Sequence, residues 1–183
     1  EIMFGLNMVV YKGKTIFVGD TSVHEYPSAK QLSEIAISSA RVVRLFGFDP
    51  KVAFVSHSTF GQPLTNRTKH IKEAVEILKE KKVDFEFDGD MQPDVALNEE
   101  YKSLYPFSKI VGNANILIMP GQHSAAISYK MMKTLGDIKV IGPLLIGLGL
   151  PIEIAPLRSS TSEIINLASI AAYSADVINY KKN

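Results

Sequence analysis

The sequence predicts an α/β domain: a mostly parallel sheet with helices on both faces, entered through an N-terminal β-hairpin. Three observations carry this. From Asn115 to Pro156 an apolar run, a glycine-bearing polar turn, a helically spaced stretch and a second apolar run follow one another. That order is a βαβ unit, which builds parallel sheets. Apolar runs alternate with helical patterns along the rest of the chain. Finally, Val52–Ser56 is short and almost wholly apolar, as expected of a strand covered on both sides.

Each element has a local cause. Met3–Tyr11 and Lys14–Gly19 are apolar and β-rich around a Lys12-Gly13 turn, which reads as the hairpin. Asp20–His24 reads as a polar loop. Ser28 and Gln31 have capping-box spacing, and Leu32, Ile35, Ala36, Ser39, Val43 and Phe46 share one helix face before Gly47. After the strand at Val52, Ile71, Val75 and Leu78 mark a second helix, ending in the charged Lys79–Lys82. Val83–Asp88 is the next expected strand, and Pro93 starts a third helix carrying Val95, Ala96 and Leu104, ended by Pro106. Ala114–Met119 is a strand, followed by a helix whose face is Ile127, Met131 and Leu135, closed by Gly136. The last helix, about 160–180, opens with Ser160 and Glu163 at capping-box spacing and carries Ile164, Leu167, Ala168, Ala171, Ala175 and Ile178. No internal repeat or linker interrupts this order, so residues 1–183 read as one α/β unit.

Composition narrows the function. Twenty basic and nineteen acidic residues nearly cancel, and no basic run exceeds Lys181-Lys182, so no nucleic-acid footprint is present. The absence of cysteine excludes thiol catalysis, disulfides and thiolate metal sites. The apolar stretch Val140–Pro156 is broken by Gly142, Pro143, Gly147, Gly149 and Pro151, a pattern of strand and tight loops rather than a membrane span. A soluble, cytoplasmic protein without membrane association is expected. The chain starts at Glu1 and runs almost directly into an apolar strand, which suggests a domain of a longer polypeptide.

Four stretches could carry chemistry. The loop Ser56-His57-Ser58-Thr59-Phe60-Gly61-Gln62 offers hydroxyls, a glycine and a following helix start, suited to an anion, or it merely caps that helix. The turn Gly121–Ser124 supplies His123 and Ser124. A triad with Asp88 is conceivable, but no GxSxG elbow accompanies it, and an ordinary capped turn is the simpler reading. Asp88, Asp90 and Asp94 could suit a hard cation but lack an EF-hand pattern, and the four histidines lack zinc spacing. Arg158, followed by Ser159-Ser160-Thr161-Ser162, is either an anion site or a capped helix beside a solvated arginine.

Several stretches in order, VAFVSHSTFGQP, DFEFDGDMQPDVALN, NANILIMPGQHSAAISYKMMKTLGD, KVIGPLLIGLGLPIEI and SEIINLASIAA, resemble the phosphate acetyl/butyryltransferase family. DTSVHEYPSAKQLSEIAISSA is similar to that family's middle region. The wording YPFSKIVGNANILIMPGQHSAAIS looks most like the transacetylase-like carboxyl-terminal domain of bacterial NADP-dependent malic enzymes. The resemblance implies an isocitrate/isopropylmalate dehydrogenase-like fold of the phosphotransacetylase type, of which this chain is roughly the second half, with the last helix belonging to a subdomain absent here. It also implies acetyl-CoA or CoA as ligand, and a dimer or larger assembly. No cofactor is expected in this part; NADP and a divalent metal belong to the parent's other part. Ser56, Ser58, Thr59 and Gly61 of the first loop, His123 and Ser124 of the second, and Arg158 and Glu163 become candidate ligand contacts.

One departure matters. The family carries Ser-Arg-Gly shortly before the last helix and an Asp ahead of Ile-Val-Asn. Here Pro156 and Leu157 fall at the Ser-Arg positions, Arg158 comes one place late, and Glu163 replaces the Asp. A displaced guanidinium weakens charge stabilisation in a transition state. The expectation is therefore an acetyl-CoA-sensing regulatory domain, with an active phosphate acetyltransferase and a pure oligomerisation module as the alternatives.

Overall fold

The structure is a computed structural model; it describes residues 2–180, without the side chains of Arg67 and of 176–180. Lys181, Lys182 and the Ile178 side chain therefore lie outside the described residues. Six strands form one sheet: β1 (Phe4–Tyr11), β2 (Lys14–Gly19), β3 (Lys51–Val55), β4 (Glu86–Met91), β5 (Ile116–Ile118) and β6 (Lys139–Ile146). Their spatial order is β4-β3-β5-β2-β1-β6. The sheet is mixed. β4, β3, β5 and β2 pair in parallel, whereas β1 runs antiparallel to both β2 and β6.

This order sets some consecutive strands apart. The strand–helix–strand unit from Asn115 onward is not a neighbouring pair: β2 and β1 stand between β5 and β6. The hairpin causes the separation. Lys12 and Gly13, both at positive φ, reverse the chain tightly and insert two paired strands into the middle of the sheet.

Helices cover both faces. On one, α1 (Ala29–Leu45), α2 (Asn66–Lys81) and α6 (Thr161–Tyr180) bury Leu32, Ile35, Ile71, Leu78 and Leu167 against Phe17, Phe54 and Ile116. On the other, α3 (Pro93–Leu97) and α5 (Gln122–Leu135) lie over Val18, Ala53 and Leu117, burying Val95, Ala96 and Ala125. The Ser28–Gln31 capping box fixes the start of α1 as its spacing predicts. α6 packs back onto the sheet, where Leu167 joins the core and the Tyr173 hydroxyl donates to the Leu45 carbonyl at 2.9 Å.

Two expected elements differ, and a third exposes its apolar face. β4 begins at Glu86 rather than Val83 and continues through Asp90 to Met91, because both Asp88 and Asp90 are buried inside the sheet end. The third helix stops at Leu97. Asn98 takes an extended conformation and its side chain caps the separate α4 (Glu99–Lys102), leaving Leu104 exposed. On α5, the periodic residues Ile127, Met131 and Leu135 are 51%, 55% and 82% exposed, and Ala125 is the buried one.

Beyond β6 the chain doubles back, and Glu153 forms an antiparallel bridge with Leu144. Its carboxylate accepts the Leu145 N–H at 3.3 Å. Burial pushes Glu153 up to about 7, against the opposing pull of that N–H. The folded-state value lies above the unfolded one, so this group's contribution is complete below 4.5 and is lost as pH rises through 7. The wild type should lose on the order of 1 kcal/mol more than Glu153→Gln between about pH 5 and about pH 8, after allowance for partial exposure. Denaturant melts of both proteins at the two pH values measure the difference; parallel curves would contradict it.

Candidate functional site

The parallel strands end on one edge, and the turns after β2 and β5 meet there. β3 and β5 pair at Phe54 and Ile118, so the chain leaving one strand emerges beside the chain leaving the other. The turns after β2 and β5 are joined by backbone bonds, Met119 N–H to the Gly19 carbonyl at 2.7 Å and Gln122 N–H to the His24 carbonyl at 2.8 Å. Between them opens a cleft of about 530 Å³, lined by Glu25, Tyr26, Pro27, Pro120, Gly121, His123 and Ser124, with His70 of α2 on its other wall. That volume falls within the range of roughly 300–1,000 Å³ usual for small-molecule sites.

A buried carboxylate holds this cleft's first wall. Asp20, 1% exposed, follows β2 directly. Its oxygens accept the backbone N–H groups of Gly5, Ser22, Val23 and His24 at 2.8–3.1 Å, and His24 Nδ1 lies 2.7 Å away. One side chain thus fastens β1, the turn and the imidazole together. Sequence reading treats Asp20 only as part of a polar loop. The signal that could have found it is an Asp at a strand end followed by small polar residues, the pattern of a side chain that satisfies turn amides.

The second wall begins α5. No side chain caps its N-terminus, its first turn holds no acidic residue, and Gly121 occupies the cap position. The helix therefore presents unneutralised N–H dipoles at the cleft, which favours a negatively charged ligand group. Ser124 donates its hydroxyl to the Gly121 carbonyl at 2.9 Å, His123 is exposed, and no Ser-His-acid arrangement forms with Asp88. Asp88 instead accepts the N–H groups of Gly89 and Lys109.

The loop after β3 is placed differently. Ser56, Ser58 and Thr59 are 7%, 0% and 6% exposed. The Ser58 hydroxyl donates to Asp90 and lies 3.2 Å from Ser56 Oγ, while Thr59 Oγ accepts the Gln92 N–H at 3.2 Å. These hydroxyls stitch the ends of β3 and β4 together. Gly61 has φ +80°, a conformation that favours glycine. Among the described residues, no cluster of three His, Asp or Glu side chains is placed to hold a metal ion.

Arg158 and Glu163 lie apart from the cleft. Glu163 borders a small depression with Lys133 and Tyr129 of α5 and with Val140–Gly142 in the first half of β6. Its carboxylate accepts Lys133 Nζ at 2.7 Å and the Ser160 N–H and hydroxyl at 2.7 and 3.0 Å. The lysine contact and then the serine bonds pull Glu163 down to about 2. Arg158 is exposed. The structure thus brings together the turn at His123 and Ser124 with His70 and the Asp20–His24 wall, and it separates them from Arg158 and Glu163.

A mixed sheet with helices on both faces and a cleft at its carboxyl edge defines an α/β domain. Residues 1–172 match the model of the phosphate acetyl/butaryl transferase family, and the chain belongs to that family. It is 44% identical to an NADP-dependent malic enzyme of Rhizobium meliloti, over 94% of this chain and 23% of that protein. It is 32% identical to a phosphate acetyltransferase of Bacillus subtilis, over 91% of this chain and 52% of that protein. A phosphotransacetylase structure from Streptococcus pyogenes superposes with a TM-score of 0.89 at 31% identity, over 96% of this chain and 54% of that one. The chain therefore spans about a quarter of that malic enzyme and about half of that phosphate acetyltransferase. No described helix is long and apolar enough to cross a membrane.

Proposed function

We propose that this chain is a regulatory domain that binds acetyl-CoA at its carboxyl-edge cleft without transferring the acetyl group. The observation that carries the reading is the separation just described. The cleft has an open helix N-terminus for an anion, whereas the guanidinium and carboxylate that the family places before the last helix do not reach it. Pro156 and Leu157 stand where a serine and an arginine are expected, and Glu163 is engaged by Lys133 and Ser160. Binding residues without a charge-stabilising partner support a sensor rather than a transferase.

The parent protein in this reading is a cytoplasmic NADP-dependent malic enzyme. Oxidative decarboxylation of malate, NADP and a divalent metal belong to its remaining length. Acetyl-CoA would act by binding one state of the assembly more tightly than another. Self-association is part of the proposal. An apolar groove of about 490 Å³ lies between α3 and α5, walled by Leu97, Met131, Met132 and Leu135. Groove and exposed ridge share one helix, the arrangement that a two-fold axis pairs with itself.

Acetyl-CoA at a hundredfold excess over its Kd should stabilise the full chain by about 2.7 kcal/mol, visible as a raised Tm. Acetyl phosphate should not form from acetyl-CoA and phosphate. Turnover would establish the transferase alternative, and a Tm indifferent to acetyl-CoA would leave only the oligomerisation module.

A further inference from the structure

We propose a second binding site, for the base and phosphate of a nucleotide, on a shelf formed by Phe60, Tyr105 and Phe107 with the Lys72 ammonium beside it. None of these residues lines the cleft. Phe60 belongs to the turn after β3, whereas Tyr105 and Phe107 come from the segment between α4 and β5. The fold brings them together, with ring centroids 5.5 Å apart for Phe60–Tyr105, 4.8 Å for Phe60–Phe107 and 6.1 Å for Tyr105–Phe107.

Three rings in mutual contact ordinarily hide their apolar area. Here Phe107 is 63% exposed. Its contacts with Phe60 and Tyr105 are made at interplanar angles of 67° and 85°. A near-perpendicular contact sets the edge of one ring on the face of its neighbour, and with Phe60 and Tyr105 packed on the core the exposed ring surface is that of Phe107. Phe60 itself has φ +49°, an unfavourable conformation for a bulky residue, held by its N–H on the Asp90 carbonyl at 2.6 Å. From this position the Phe60 ring meets the other two.

The cation is placed with equal constraint. A Cβ on Gly61 would lie 2.9 Å from Lys72 Cε and nearer still to Nζ, so glycine leaves the space that the amine fills. Lys72 has no hydrogen-bond or ion-pair partner among the described residues. The ammonium stands beside Gly61, the residue after Phe60, and together with the exposed ring surface of Phe107 it complements a planar ring that carries an anion. A purely apolar partner would bury the rings and desolvate the charge without compensation. An acidic peptide would satisfy the charge and ignore the ring faces. A nucleotide uses both, and base–aromatic stacking supplies affinity without regard to sequence.

The test is calorimetric titration of the full chain with adenosine 5′-monophosphate, and with adenosine as the phosphate-free control. Phe107→Ala should weaken the nucleotide roughly tenfold, within the range that stacking on an aromatic side chain spans. Phe107→Leu should lose as much, since it keeps apolar area without a ring face. Lys72→Gln should weaken the nucleotide and leave adenosine unchanged. Acetyl-CoA distinguishes the sources. If Phe107→Ala weakens it too, the shelf takes the nucleotide end of the thioester carrier; if only the mononucleotide is affected, the shelf serves a free nucleotide. The proposal is overturned if the mononucleotide does not bind the wild type at millimolar concentration, or if Phe107→Leu binds it as wild type does. Neither probe without a thioester depends on the cleft, so failure here and failure of the acetyl-CoA reading are separable.

Discussion

Replacing Asp20 with alanine is expected to lower the melting temperature of this chain by roughly 6–20 °C, the equivalent of about 3–5 kcal/mol in a domain of this size. The carboxylate is buried and accepts four backbone N–H groups in addition to its contact with His24. Removing it strands those donors away from water, and an unsatisfied buried donor costs far more than a typical hydrogen bond contributes. The loss should extend to function, because the same turn forms one wall of the cleft. Asp20→Asn should fall between, since one oxygen still accepts while the new N–H₂ group faces other donors. Asp84→Ala, which breaks an exposed pair with Arg44, should leave the melting temperature nearly unchanged. An Asp20→Ala protein melting within a degree or two of wild type would show that water replaces the network.

Gly121→Ala should reduce acetyl-CoA affinity at least tenfold and cost about 1–3 kcal/mol of stability, the usual range for overpacking. Gly121 has φ 166°, extended backbone that any residue adopts, so strain is not the cause. The reason is contact. A Cβ there would drive into the Glu25 carbonyl, 3.2 Å from its carbon and closer to its oxygen, and 3.3 Å from Pro27 Cδ. The two cleft walls touch backbone to backbone at this point, and only a residue without a side chain lets Gln122 donate to the His24 carbonyl. Gly149→Ala is the control, because a Cβ at that position would meet nothing within 4 Å. Titration of both variants with acetyl-CoA decides the matter: wild-type affinity in Gly121→Ala would mean that this cleft is not the binding site.

Much of the architecture was legible because its causes are local. The Ser28–Gln31 capping box, the Lys12-Gly13 reversal and the proline start of α3 act over a few residues. The exposure of the α5 face has a physical reason. Periodicity shows that Ile127, Met131 and Leu135 share a face, but says nothing of whether another surface covers it. In this chain they stay 51–82% exposed. The hydroxyl loop shows partners that its sequence does not announce. Ser58 and Thr59 look like ligand contacts from their place after a strand, yet the neighbouring strand end supplies Asp90 and Gln92 as partners. His70 could not be assigned to the cleft, because its helix follows a different strand from the turn it faces.

By itself the sequence determined the succession of strands and helices, the caps that begin them and the family stretches. These are written in short windows, where propensity, spacing and side-chain chemistry act between neighbours in the chain. Only the tertiary structure decided that the hairpin sits in the middle of the sheet, that Asp20 anchors a cleft wall, and that Arg158 and Glu163 lie apart from His123. Strand pairing joins residues far apart in sequence, and burial depends on what the remainder of the chain places overhead. Neither quantity is carried by any single stretch of residues.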